Sequence, residues 1–123
     1  MIKPVDLDSN GVFKYIQIRL YPKGANAAQS SEPVTIVRGY LDCPYHADIL
    51  AKFNDTELVQ DGLDSEWSTD CPGGGRINVD QSAKTLLIYG YSQGFGRCDH
   101  SLTQALIQEA MPDYTVTWNN EGY

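Results

Sequence analysis

The chain has 123 residues, room for a single domain spanning 1–123 whose core needs no metal or disulfide staple. With 41% hydrophobic and 20% charged residues it is not a disordered chain. A net charge of −7 argues against nucleic acid and against an anionic membrane as partners.

Asn10-Gly11 is a turn signal, and from Val12 to Tyr21 the chain then alternates as a strand, with Val12, Ile16, Ile18 and Leu20 on one face. Lys14 falls on that same apolar face, either as a strand-end lysine reaching water or as a functional cation. Residues 22–33, rich in Ala, Ser, Gly and Pro, read as a surface loop. Val34–Tyr40 is a β-branched strand.

Between His46 and Gln60 the period becomes helical, with Ile49, Leu50 and Phe53 as the stripe and Gly62 as the stop. Ser65–Asp70 and Arg76–Asp80 flank Pro72-Gly73-Gly74-Gly75 and suggest a hairpin. Thr85–Tyr91 is a strand that runs into a glycine-rich loop at 90–96. A second helix follows, with Ser101-x-x-Gln104 as a capping box and Leu102, Ala105, Leu106 and Ala110 as its apolar stripe. Tyr114–Trp118 is the last strand. The expected fold is α/β in the α+β sense: a single mixed sheet of about six strands with one helix on each face.

The charge is local. Eight acids (Asp42, Asp48, Asp55, Glu57, Asp61, Asp64, Glu66 and Asp70) stand against Lys52 alone, and the rest of the chain is balanced. An anionic substrate is therefore still compatible with the remainder, and a positive pocket beside an acidic flank is expected. Cys43, Cys71 and Cys98 form no C-x-x-C pair, and two histidines without metal-site spacing suggest no catalytic metal. Met1-Ile2-Lys3-Pro4-Val5-Asp6 lacks the apolar stretch of a signal peptide, and Leu86-Leu87-Ile88-Tyr89 is too short to span a bilayer. A cytoplasmic or nuclear location is expected.

Three constellations could carry chemistry. The strand, glycine-rich turn and helix start at Tyr89–Leu102 form an anion cradle to which Ser92 adds a hydroxyl, although such turns are often only tight connections. His46 stands at a helix start, where the N-terminal field keeps an imidazole neutral; its plain alternative is a turn-capping histidine, and His100 has the same pair of readings. Cys71-Pro72-Gly73-Gly74-Gly75-Arg76 has one residue too few between Cys and Arg for a cysteine-phosphatase loop. Cys71 is set aside as nucleophile, and Arg76 is kept for its phosphate-matched fork.

Asp8-Ser9-Asn10-Gly11-Val12-Phe13-Lys14-Tyr15, Ile36-Val37-Arg38-Gly39-Tyr40, Tyr45-His46-Ala47-Asp48-Ile49, Gly73-Gly74-Gly75-Arg76-Ile77, Tyr89-Gly90-Tyr91-Ser92 and the run from Pro112 to Asn119 occur in order along nearly the whole chain. They resemble the small phosphohistidine phosphatases of the Janus/Ocnus family. The resemblance implies His46 as catalytic residue and Lys14, Arg76 and Ser92 as phosphate-binding side chains, with backbone N–H groups of Ala47 and Gly94 completing the cradle. Gly94 stands where that family often has a larger residue, and Gln93 and Phe95 also depart from its pattern.

The implied activity is metal- and cofactor-independent hydrolysis of a phosphohistidine P–N bond by a monomer. Its substrates would be histidine-phosphorylated proteins or small phosphoramidates. A non-catalytic phosphate-binding module and a phospholysine phosphatase are the alternatives.

Overall fold

β-Branched and aromatic side chains at alternate positions hold the longest early segment extended, and in the computed structural model it forms one twelve-residue strand. The structure describes residues 2–22, 33–60, 62–63 and 67–120. In chain order the strands are β1 (Val5–Leu7), β2 (Gly11–Pro22), β3 (Val34–Gly39), β4 (Trp67–Asp80), β5 (Thr85–Tyr89) and β6 (Thr115–Trp118). They make one sheet in the order β1-β3-β2-β4-β5-β6. The centre is antiparallel, and each edge strand joins in parallel, so the sheet is mixed.

The period-2 alternation of β2 sorts the core into two layers. Phe13 and Tyr15 point one way and pack with Ile77, Val79, Ile88 and Ile107. Ile16, Ile18 and Leu20 point the other way and pack with Ile49 and Phe53. Helix α1 (His46–Lys52) covers the second face and α2 (His100–Ala110) the first, one helix on each side as expected. Seven residues are too few for a helix to hold itself in water. Ile49 and Phe53, both fully buried, hold α1 down at about 2 kcal/mol each.

A π-helical turn (Phe53–Leu58) continues α1 and delivers Glu57 to Arg38. That guanidinium is fully buried, and its Nε and Nη2 each donate to Glu57 at 2.8 Å. Much of the acidic segment is spent in this way, because Asp42 also pairs with Lys52 and Asp70 with Arg19. Asp61, Asp64 and Glu66 lie outside the described residues, as do all but the two end residues of the loop expected at 22–33 and the start of the strand expected from Ser65; Pro22 itself ends β2.

The expected hairpin at Pro72–Gly75 is not formed. These residues run straight through β4, paired with β2 from Pro22↔Trp67 to Gly11↔Val79. Pro72 is accommodated where the register slips between Gln17↔Gly73 and Arg19↔Asp70, so its missing N–H removes no ladder bond. The glycines are there for closeness rather than for turning. A Cβ on Gly74 would collide with Tyr15 O and stand 2.9 Å from His46 Cδ2. One on Gly75 would collide with Tyr89 O and stand 2.8 Å from His100 Cε1. The strand total agrees with expectation only because one hairpin becomes one strand while β1, too short to show alternation, adds another.

α2 also starts differently. Its N-cap is Asp99, which accepts from Ser101 N–H at 3.0 Å, and Gln104 reaches Val116 O rather than closing a capping box with Ser101. Its buried face is His100, Thr103 and Ile107, whereas Leu102, Ala105 and Ala110 are exposed. Two polar residues turn inward because Tyr15 and Gln17 offer them buried partners.

Candidate functional site

On the α1 face the central strands run past the helix N-terminus and leave an open ledge. Lys14 and Arg76 are direct cross-strand partners on that ledge, one register step beyond Ile16 and Gly74. Two cations opposite each other cost a sheet stability, so the fold has no use of its own for the pair. The tight turn Ser92–Gly96 forms the facing wall. Between ledge, helix start and turn lies a cleft of about 410 Å³, lined by Lys14, His46, Ala47, Arg76, Ser92 and Gly94 together with Tyr45, Tyr91, Gln93 and Phe95. Residues from four separate segments thus converge on it. No carboxylate is among the described residues that line it.

His46 is the first residue of α1 and its ring stands against Gly74. Nε2 lies 2.9 Å from Gly75 O. A carbonyl only accepts, so Nε2 carries the proton and Nδ1 keeps its lone pair. Among the described residues nothing hydrogen-bonds Nδ1. Burial pushes the imidazole below its ordinary range; the Gly75 bond opposes this, and the cations Lys14 and Arg76 push the same way as burial. Desolvation is the largest of these causes favouring the neutral form of His46.

Lys14 continues the apolar face of β2 with its stem and holds its ammonium 5.3 Å from the centroid of the Tyr45 ring at the cleft mouth. Ser92, nearly fully buried, accepts from Phe95 N–H at 3.1 Å, which leaves its own hydroxyl proton for another acceptor. Its main chain exchanges bonds with Gly96, and none of the turn's own hydrogen bonds uses the Gly94 N–H. A Cβ on Gly94 would meet nothing within 4 Å, so a larger residue fits there without disturbing the cradle. Ala47 is the second residue of α1, so its N–H has no acceptor within the helix.

His100 lies on the other face, against Gly75. Its Nε2 is 2.7 Å from Gly90 O and its Nδ1 is 2.5 Å from Tyr15 OH. Tyr15 OH also meets Thr103 and Cys98, and Gln17 Nε2 donates to Thr103. Cys71 does not line the cleft, and burial pushes its thiol up to about 12, so it is protonated at neutral pH. Among the described residues no group of three or more His, Cys, Asp or Glu is placed to hold a metal, and no helix is long and apolar enough to cross a membrane.

Sequence reasoning did not single out Tyr45, Tyr91, Gly74 or the Gly75 carbonyl. Tyr45 carried a signal, an aromatic residue beside the candidate histidine. The glycines were hidden by their reading as a turn.

Residues 1–115 match the family model described as Janus/Ocnus family (Ocnus). The chain is 46% identical over 125 residues to a 14 kDa phosphohistidine phosphatase of Sus scrofa, covering 99% of this chain and 93% of that protein. It is 42% identical over 123 residues to the Homo sapiens protein of the same name, covering 100% and 94%. It is 39% identical over 119 residues to the sex-regulated protein janus-A of Drosophila melanogaster, covering 97% and 80%.

Proposed function

The chain belongs to the Janus/Ocnus family, and from that premise and the geometry of the cleft we propose that it is a protein phosphohistidine phosphatase with His46 as its catalytic residue. One observation carries this reading. A neutral imidazole bearing its proton at Nε2 has, among the described residues, no partner at Nδ1, and it lines a cleft that holds Lys14, Arg76 and Ser92 and no carboxylate among its described lining residues.

The roles follow from those positions. A phosphoryl group seated in the cleft takes hydrogen bonds from the Ser92 hydroxyl and from the N–H groups of Ala47 and Gly94. Lys14 and Arg76 supply positive field to its oxygens. The substrate's P–N bond is weak once the leaving imidazole is protonated, so positioning and charge supply most of the catalysis.

Nδ1 serves either chemistry this substrate allows. As nucleophile it forms a new N–P bond while the old one breaks; the substrate imidazole leaves protonated, and water then releases phosphate from His46. As base it takes a proton from an in-line water that attacks phosphorus directly. Rapid-quench capture of acid-labile phosphate on His46 during turnover selects the first route, and its absence through the burst phase selects the second.

With two side-chain cations at the site the reaction needs no metal, and turnover that persists in EDTA is the expected result. The same reading has the protein acting as a monomer, both sheet faces being already covered by helices. It works in a reducing cytoplasmic or nuclear setting, which suits three free cysteines. Its acidic net charge keeps it from nucleic acid and anionic membranes. The test is phosphate release from a histidine-phosphorylated protein. Turnover that His46→Ala abolishes supports the reading; phosphate binding without hydrolysis, or hydrolysis confined to phospholysine, refutes it.

A further inference from the structure

The ledge does not end at Lys14 and Arg76. On the far side of this pair it opens into a second depression of about 190 Å³, walled by Val12, Leu41, Cys43 and Pro44 and sharing the two cations with the cleft. At roughly 30 Å³ per water that is space for about six waters, enough for one side chain and too little for a helix.

Its walls are apolar and fixed. Val12 and Leu41 are 49% and 57% exposed, and because they line the same depression they form one uncovered apolar wall. Leu41 is held in place on both sides, because its N–H donates to the Asp8 carboxylate and its side chain lies over Gly11. Gly11, at φ +113, is the glycine that lets the β1–β2 turn pass beneath it.

We propose that this depression is a specificity pocket for an apolar side chain one or two positions from the phosphohistidine in a substrate polypeptide, an inference that rests on the phosphatase reading of the adjoining cleft. Along a strand, residues on one face recur about every 7 Å, and an extended peptide laid on the ledge has the same repeat. A chain whose phosphoryl group reaches His46, above Gly74 and Ile16, carries its neighbouring residues across the Lys14–Arg76 pair towards Val12. The shared cations also decide the chemistry of the occupant. An acidic neighbour competes with the phosphoryl oxygens for Lys14 and Arg76, whereas an apolar one covers Val12 and Leu41 and leaves both cations on the phosphate. The enzyme is thereby selective for phosphohistidine in a particular peptide context, while small phosphoramidates use the cleft alone.

The experiment compares inorganic phosphoramidate with five-residue peptides centred on phosphohistidine, in which each flanking position is in turn Leu, Ser or Asp. The unaltered protein favours Leu at one of these positions by about tenfold in kcat/KM, the factor one well-housed apolar group supplies. The double variant Leu41→Gln, Val12→Thr changes no charge beside the cleft. It brings that preference to within twofold and leaves phosphoramidate turnover unchanged. Equal rates on all peptides, a preference for Asp, a Leu preference that survives the double variant, or an equal loss on phosphoramidate each overturns the proposal. A protein that hydrolyses neither phosphoramidate nor any of the peptides overturns the reading of the cleft itself, and the pocket with it.

Discussion

The molecule holds two histidines, and they are nearly twins. Each opens a helix, each sends Nε2–H to a backbone carbonyl, and each presses on one of two consecutive glycines of β4, His46 against Gly74 and His100 against Gly75. Burial is the largest cause holding both below the ordinary imidazole range. The difference is at Nδ1. That of His100 accepts from Tyr15, inside a network where Thr103, Gln17 and Cys98 satisfy one another. That of His46 meets the cleft. The same residue type with the same local setting is a structural brace on one face and, on the proposed reading, the catalytic residue on the other, and among the described residues the difference is whether its second nitrogen has a partner.

Exchanging one histidine at a time tests this contrast most severely. His46→Ala lowers phosphohistidine turnover by about 10³-fold or more and, losing only the Gly75 O bond, costs less stability than His100→Ala, as kcat/KM and a denaturation midpoint measured side by side will report. His100→Ala does the reverse. Most turnover remains, while urea titration shows a loss of about 3 kcal/mol, since Tyr15 and Gly90 O are left with unpaired buried groups. Equal activity in the two variants would break the comparison.

The glycines between the rings come next. Gly74→Ala or Gly75→Ala costs several kcal/mol, because the new Cβ meets sheet backbone as well as a ring. Gly94→Ala, with open space around it, changes stability by less than about 0.5 kcal/mol and retains turnover. An unstable Gly94→Ala protein would count against the open space at this turn.

pH and charge sharpen the comparison further. An unperturbed histidine titrates near pH 6.5. Both rings lie below that in the folded chain, so the unfolded chain binds more protons beneath it. Stability is therefore full above about pH 6.5 and declines as pH falls toward the depressed folded values. Thermal midpoints should be flat from pH 7 to 8 and drop below 6.5, with a smaller drop in either alanine variant. The acid limb of kcat/KM reports His46 alone and has its midpoint under 6.5. Lys14→Ala moves that midpoint upward, since Lys14 is one of the cations depressing it, and raises KM by about tenfold with little change in stability. The smallest effect belongs to Cys71→Ser, which leaves turnover unchanged because that thiol is protonated and outside the cleft.

Much of this was legible in the sequence. The alternation of Phe13 to Leu20 and the stripe of Ile49 and Phe53 determined a two-faced sheet with a helix on the α1 side, because apolar periodicity follows directly from strand and helix geometry. The order of motifs named Lys14, His46, Ala47, Arg76, Ser92 and Gly94, all of which line the cleft. The misplaced Lys14 was itself a clue, since a charge on an apolar strand face needs a reason.

Tertiary structure alone decided the rest. Pro72-Gly73-Gly74-Gly75 has the composition of a turn, and only the rings pressing from both sides and the neighbouring strands make it extended. α2 buries His100 and Thr103 rather than Leu102 because Tyr15 and Gln17, far away in sequence, wait there with hydrogen-bonding groups. The two histidines could not be told apart by local pattern for the same reason. Sequence sets which atoms a side chain carries; which of them remain unpaired depends on partners that only the folded chain brings within hydrogen-bonding distance.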